Sequence, residues 1–122
     1  MNFLCISNYN NDLDWVAEYP NPHLIYDKTW AGGVLDNDSS EMLPPSFLEK
    51  KYPDYNITCG DPNGYNISDY MQFIIEYYDN LPDVVVFMKG NTIGRHVSQE
   101  YFDRIVNLDT FACIEDWTMH DM

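Results

Sequence analysis

The chain has 122 residues, a mass of 14.3 kDa and a formal net charge of −14. That length accommodates one domain, and an apolar share of 45% with 16% aromatics supplies a packed core rather than a disordered acidic chain. Twenty acidic against six basic side chains exclude nonspecific nucleic-acid binding and docking on an anionic membrane surface, because both need a cationic face.

Phe3-Leu4-Cys5-Ile6-Ser7 is a short apolar run that predicts a strand buried on both faces. Asp12 is placed to cap a short helix through Tyr19, with Leu13, Val16 and Ala17 on one face, and Pro20-Asn21-Pro22 ends it. His23-Leu24-Ile25-Tyr26 predicts a second strand, followed by Asp27-Lys28. Strand, helix and strand joined by short connections are the pattern of an α/β layer with parallel pairing.

Residues 29–65 read as a long irregular loop region, with Gly32-Gly33, Asp36-Asn37-Asp38-Ser39-Ser40 and Pro44-Pro45 as turn signals. Within it, Ser46 predicts a capped helical turn through Lys51, and Asn56-Ile57-Thr58-Cys59 a short strand. The strongest helix signal covers Ile67 to Leu81, with an apolar stripe at Ile67, Tyr70, Met71, Ile74, Ile75 and Tyr78 and an Asn66–Asp69 pair resembling a capping box. Pro82 stops it.

Val84 to Met88 is β-branched and apolar throughout, which predicts a central buried strand. A further helix is expected from Gln99 to Leu108, capped by Ser98, with Val97 and Phe102 forming a hydrophobic staple. Phe111-Ala112-Cys113-Ile114 predicts a last strand, and residues 117–122 a tail. The expected object is a single α/β domain over residues 1–122, a small three-layer structure with a mostly parallel sheet and helices on both faces.

Other signals narrow the setting. The N-terminus lacks a basic region before its apolar run, and no stretch approaches the roughly 20 apolar residues of a spanning helix, so a cytoplasmic protein is expected, neither secreted nor membrane-spanning. Cys5, Cys59 and Cys113 are odd in number and widely spaced, which gives neither a disulfide framework nor a zinc pattern.

In open parallel sheets ligands bind beyond the carboxyl ends of the strands. The segments expected there are Ser7-Asn8-Tyr9-Asn10, Asp27-Lys28, Asn63-Gly64-Tyr65-Asn66 before the main helix, and Lys89-Gly90-Asn91 followed by Arg95-His96, with Asn8, Tyr9, Asn10, Asp27, Lys28, Asn63, Gly64, Lys89, Gly90, Asn91 and Arg95 as the expected ligand contacts. Three of the six cations, Lys28, Lys89 and Arg95, fall in this set, which points to an anionic ligand such as a phosphate. A lysine after a strand is also an ordinary solvated residue, and the glycines match no phosphate-loop fingerprint. The triplets Asp12-Leu13-Asp14 and Asp36-Asn37-Asp38 are expected by chance in an Asp-rich chain. Asp36 and Asp38 are the metal candidates to carry forward, because they sit in a Gly- and Ser-rich stretch. His23 opens a strand and reads as structural, and His96, beside Arg95, is the one histidine placed for acid–base work.

The segments Asn8-Tyr9-Asn10-Asn11-Asp12-Leu13-Asp14-Trp15, Leu24-Ile25-Tyr26-Asp27-Lys28, Asn63-Gly64-Tyr65-Asn66, Tyr77-Tyr78-Asp79-Asn80-Leu81-Pro82-Asp83, Val86-Phe87 and Lys89-Gly90-Asn91 resemble an uncharacterised domain-of-unknown-function family with fungal, bacterial and viral or phage members. Its motifs read Y-N-x-D-x-x-W, Y-D/N-K, N-x-G and D-N-L-P-D-x-x-x-F-x-x-G. That family in turn resembles GT-A type glycosyltransferases. The resemblance implies a nucleotide sugar or similar phosphate-bearing ligand in the strand-end crevice, Mn²⁺ or Mg²⁺ as cofactor, and Asp116 as a distant base.

Two departures stand out. Tyr65-Asn66 replaces an Arg-Glu pair found in many members, and the sequence stops soon after Glu115-Asp116, where such transferases continue. A minimal or catalytically inactive glycosyltransferase-like protein is therefore expected. The competing expectation is an acidic, non-enzymatic interaction protein of viral or phage origin, acting as an inhibitor or assembly subunit on a protein partner in the host cytoplasm.

Overall fold

In the computed structural model, residues 1–31 and 44–109 are described. Four strands, β1 (Phe3–Asn8), β2 (His23–Asp27), β3 (Ile57–Cys59) and β4 (Val85–Lys89), form one sheet in the order β3-β2-β1-β4, and every pairing is parallel. Three helices join them: α1 (Phe47–Lys51), α2 (Tyr65–Glu76) and α3 (Gln99–Ile105). Short 3-10 turns cover Asp14–Glu18, Thr29–Ala31 and Tyr78–Asn80, and a kinked helical turn covers Thr92–Arg95. This is the expected α/β class.

Side-chain alternation assigns the two faces of the sheet. Leu4 and Ile6 of β1, Ile25 of β2 and Val86 and Met88 of β4 pack with Leu13, Val16, Leu48, Tyr52, Val97, Phe102 and Val106. The other face, with Phe3, Cys5, Leu24, Tyr26, Val85 and Phe87, packs on Phe73 and Tyr70 of α2. Helices therefore lie on both faces, and α2 alone supplies the helical cover of the second among the described residues.

Several details differ from the sequence expectation. The strand Val85–Lys89 is not central: it pairs with β1 alone among the described residues, and β1 is the strand paired on both sides. Asp12 caps no helix. Its Oδ1 accepts from the Asp14 backbone N–H at 2.8 Å, a local turn that leads into the 3-10 segment.

The main helix begins two residues before Ile67 and ends at Glu76. Gly64 is its N-cap, and no Asn66–Asp69 capping box forms. Ile67, Met71 and Ile75, all counted in the apolar stripe, point to solvent at 51–70% exposure, while Asp69 and Phe73 are buried. Ser46 precedes α1 without a side-chain cap. Ser98 does cap α3: its Oγ accepts from the Tyr101 N–H at 3.1 Å, and Val97 and Phe102 are both buried in one cluster. The strand expected at 111–114, the tail, and Asp36, Asp38 and Asp116 lie outside the described residues.

Candidate functional site

The alternation that builds the core continues past the strand ends. Following Phe3 and Cys5, Ser7 falls on the α2 side of the sheet; following Leu24 and Tyr26, so does Lys28; following Val85 and Phe87, so does Lys89. Ser7 and Lys89 are also register partners across β1 and β4. These three side chains line a cleft of about 330 Å³, together with Tyr9 and Asn11 from the loop after β1, Tyr65 and Asn66 from the start of α2, and Asn91 and Arg95 after β4.

The cleft sits where the topology reverses. From β1 the chain moves outward to β2 and β3, then returns through α2 to β4 on the opposite side of β1. The loops leaving β1 and β4 therefore diverge, and a crevice opens between them at the carboxyl edge.

At its base lies a buried polar cluster. Lys28 Nζ donates to Asp69 Oδ2 at 2.7 Å, with the two side chains 3% and 0% exposed, and Ser7 Oγ donates to the same oxygen at 2.5 Å. Lys28 Nζ also donates to the Tyr65 carbonyl. Tyr65 itself has a φ of 53°, a left-handed conformation unusual for an aromatic residue. Burial raises the Asp69 carboxyl above the ordinary Asp value, opposed by the Lys28 and Ser7 hydrogen bonds, the Lys28 charge and the Asp61 backbone N–H. The Cys5 thiol beside it is pushed up to about 12 by burial and by the Asp69 charge, which makes it an inert core group.

A second network lies on the opposite side of the strand ends. Asp27 Oδ1 accepts from Asn8 Nδ2 (3.0 Å), from the Thr29 N–H (3.1 Å) and from Thr29 Oγ1 (2.6 Å). Asn8 Oδ1 accepts from Asn11 Nδ2 at 3.1 Å. A Cβ on Gly90 would stand 2.2 Å from Asn8 Oδ1, so any larger residue would push the Asn8 side chain out of this network. The Trp15 indole N–H donates to the Gly90 carbonyl at 2.9 Å. Desolvation raises the Asp27 carboxyl, against the pull of the Thr29 and Asn8 hydrogen bonds and Lys28.

Of the residues expected to contact ligand, Tyr9, Lys28, Lys89, Asn91 and Arg95 line the cleft. Asn8, Asp27 and Gly90 are committed to the second network and build the strand ends rather than the lining. Asn10 holds a left-handed turn, its N–H donating to Thr29 Oγ1 at 2.9 Å. Asn63 turns on Asp61 and Gly64 caps α2, both outside the lining. Lys28 is not a free cation facing a phosphate, because Asp69 neutralises it. His96 ends the Thr92–Arg95 turn and does not line the cleft. His23 is structural: its Nε2 accepts from the Asn56 N–H at 3.1 Å.

The expected ligand set omits Ser7, Asn11, Tyr65 and Asn66, and omits Asp69 altogether. The signal for Ser7 is present in the period-2 run Phe3-Cys5-Ser7. The lining holds no Asp or Glu among the described residues, although the chain carries twenty. No group of three or more His, Cys, Asp or Glu able to hold a metal occurs among them either.

A family model described as a protein of unknown function, DUF3431, matches residues 5–116. The chain belongs to the DUF3431 family. The match runs from β1 past α3, so every cleft-lining residue of this DUF3431 member falls within the family's span. No curated protein and no solved structure matches the chain. No described helix is long and apolar enough to cross a membrane.

Proposed function

We propose that the cleft binds a phosphate-bearing small molecule, a nucleotide sugar, and that the chain is a glycosyltransferase-like protein acting through that binding. One observation carries the reading. Lys89 and Arg95 line the crevice at the topological reversal, and among the described residues neither side chain has an ion-pair or hydrogen-bond partner. In a chain of net charge −14, two uncompensated cations in a cleft whose described lining holds no carboxylate favour an anion.

The remaining lining suits the rest of such a ligand. Asn11, Asn66 and Asn91 offer donors and acceptors for hydroxyls, and the Tyr9 and Tyr65 rings offer flat surfaces for a base or sugar. The first turn of α2 adds backbone N–H groups at the same edge. The chemistry supported by the described lining is the holding of an anion; a proton acceptor for transfer chemistry would have to come from beyond it.

The test is a thermal-shift and calorimetry panel of UDP-, GDP- and CMP-sugars, with and without Mn²⁺. Saturable stabilisation is expected, reaching about 2.7 kcal/mol at a hundredfold excess over Kd, and Lys89→Met should abolish it. Absence of stabilisation by every member of the panel overturns the reading.

A further inference from the structure

Asp69 lies beneath the same cleft, and its role follows from the reading of that cleft as an anion site. Three cations line the cleft, but they are not equivalent. Lys28 is paired at 2.7 Å with a carboxylate that is fully buried, whereas Lys89 and Arg95 have no such partner among the described residues. Asp69 also fixes the direction of the hydrogen bonds around it. A carboxylate only accepts, so the Ser7 hydroxyl spends its proton on Oδ2 and is left with acceptor capacity alone in the cleft lining. Lys28 spends two N–H groups on Asp69 and the Tyr65 carbonyl and keeps a third.

We propose that Asp69 makes the cleft selective by ligand charge. It cancels Lys28, leaving Lys89 and Arg95 as a doubly positive wall for a doubly negative group such as the diphosphate diester of a nucleotide sugar. Ser7 and Lys28 form an uncharged floor with one acceptor and one donor, which is the pattern that reads a hydroxyl. Asp69 is thus a positioning residue: it touches no ligand and acts through Lys28 and Ser7. On more highly charged anions, such as free nucleoside diphosphates or pyrophosphate, the third and fourth charges find no further free cation in the described lining and are desolvated against a chain of net charge −14, so they gain little over a dianion.

The experiment uses the full chain and two inorganic probes at constant ionic strength, sulfate as the dianion and pyrophosphate as the more highly charged anion, titrated by calorimetry. Lys89→Met is expected to weaken both by roughly tenfold or more. The double variant Lys28→Met/Asp69→Asn removes a neutral pair together with one hydrogen-bond donor of the floor, so sulfate affinity should fall by clearly less than Lys89→Met costs it, while the pyrophosphate-to-sulfate ratio stays within about threefold of the parent's. Asp69→Asn alone frees the Lys28 charge and should improve pyrophosphate relative to sulfate by at least about fivefold.

Loss of sulfate binding in the folded double variant, to the extent seen with Lys89→Met, overturns the proposal, since Lys28 would then be an anion contact. An unchanged pyrophosphate-to-sulfate ratio in folded Asp69→Asn also overturns it. Should that single variant fail to fold, the double variant decides. Nucleotide sugars that fail to bind while the inorganic anions follow this pattern overturn the nucleotide-sugar reading and support the charge selection.

Discussion

The Lys28 ammonium and the Asp69 carboxylate meet at 2.7 Å with both side chains withdrawn from water, tying the end of β2 to the second turn of α2. A buried pair of this kind adds little relative to apolar replacements but is costly to break singly. Lys28→Met alone or Asp69→Asn alone should therefore destabilise by about 3–5 kcal/mol. The double change Lys28→Met/Asp69→Asn should cost much less than the sum. Urea denaturation of the three variants checks this, and additive effects would contradict it.

Gly90→Ala places a methyl 2.2 Å from Asn8 Oδ1 and 3.1 Å from a Leu13 methyl. The Asn8 side chain must shift away from its buried hydrogen bonds, at a cost of about 1–3 kcal/mol. Adding Asn8→Ala removes the nearest atom, so the loss caused by Gly90→Ala should be smaller in that background. A denaturant midpoint for the parent, the two single variants and the double variant gives the coupling directly.

Asp27→Asn keeps an oxygen at the position that accepts all three hydrogen bonds from Asn8 and Thr29. It removes a carboxyl whose folded value is raised above the ordinary Asp value of 3.8, by desolvation first. A raised value means the folded state holds its proton to higher pH than the unfolded chain. Its stabilising contribution is complete below the ordinary value and is lost as pH rises through the raised one. The parent should therefore gain stability relative to Asp27→Asn as pH falls from about 7 to about 4. Paired melting temperatures across that range test the sign.

Lys89→Met and Arg95→Met remove charges from the cleft wall but no described ion pair or side-chain hydrogen bond. Stability should change by less than about 0.5 kcal/mol in each, while binding of an anionic ligand falls. Binding by the parent should also weaken with added salt, because Arg95 is exposed.

Ser98→Ala removes the acceptor for the Tyr101 N–H at the start of α3. The loss should be about 1 kcal/mol. A larger loss would mean that α3 and its buried Phe102 hold more of the fold than a single cap accounts for.

The strands are legible in the sequence because buried parallel strands read as continuous apolar runs, and Phe3-Leu4-Cys5-Ile6 and Val85-Val86-Phe87-Met88 are such runs. Their order is not: hydrophobicity alone ranks β4 first, but pairing on both sides belongs to β1. The inner face of α2 is harder still. Apolar residues occur around most of the helix, so the period is plain while its phase is not. Ile67, Met71 and Ile75 look like core yet face water. Asp69 looks like a cap and is the most consequential buried group in the helix, because its partner Lys28 lies far away in sequence. Local patterns record which residue types recur, and they do not record a charge neutralised from another element.

The order of strands also sets when the cleft can come into being. Phe3 pairs with Val85 and Ser7 with Lys89, so one wall of the site comes from the first strand of the chain and the facing wall from the last described one. On the ribosome, β1, β2, β3 and α2 emerge well before β4, and the Lys28–Asp69 tie can form while the second edge of β1 is still bare. Closing that edge waits for the longest loop in the sheet. Chains truncated near Leu81 would carry the floor of the cleft without its cationic wall, and an unpaired strand edge open to chaperones or to aggregation.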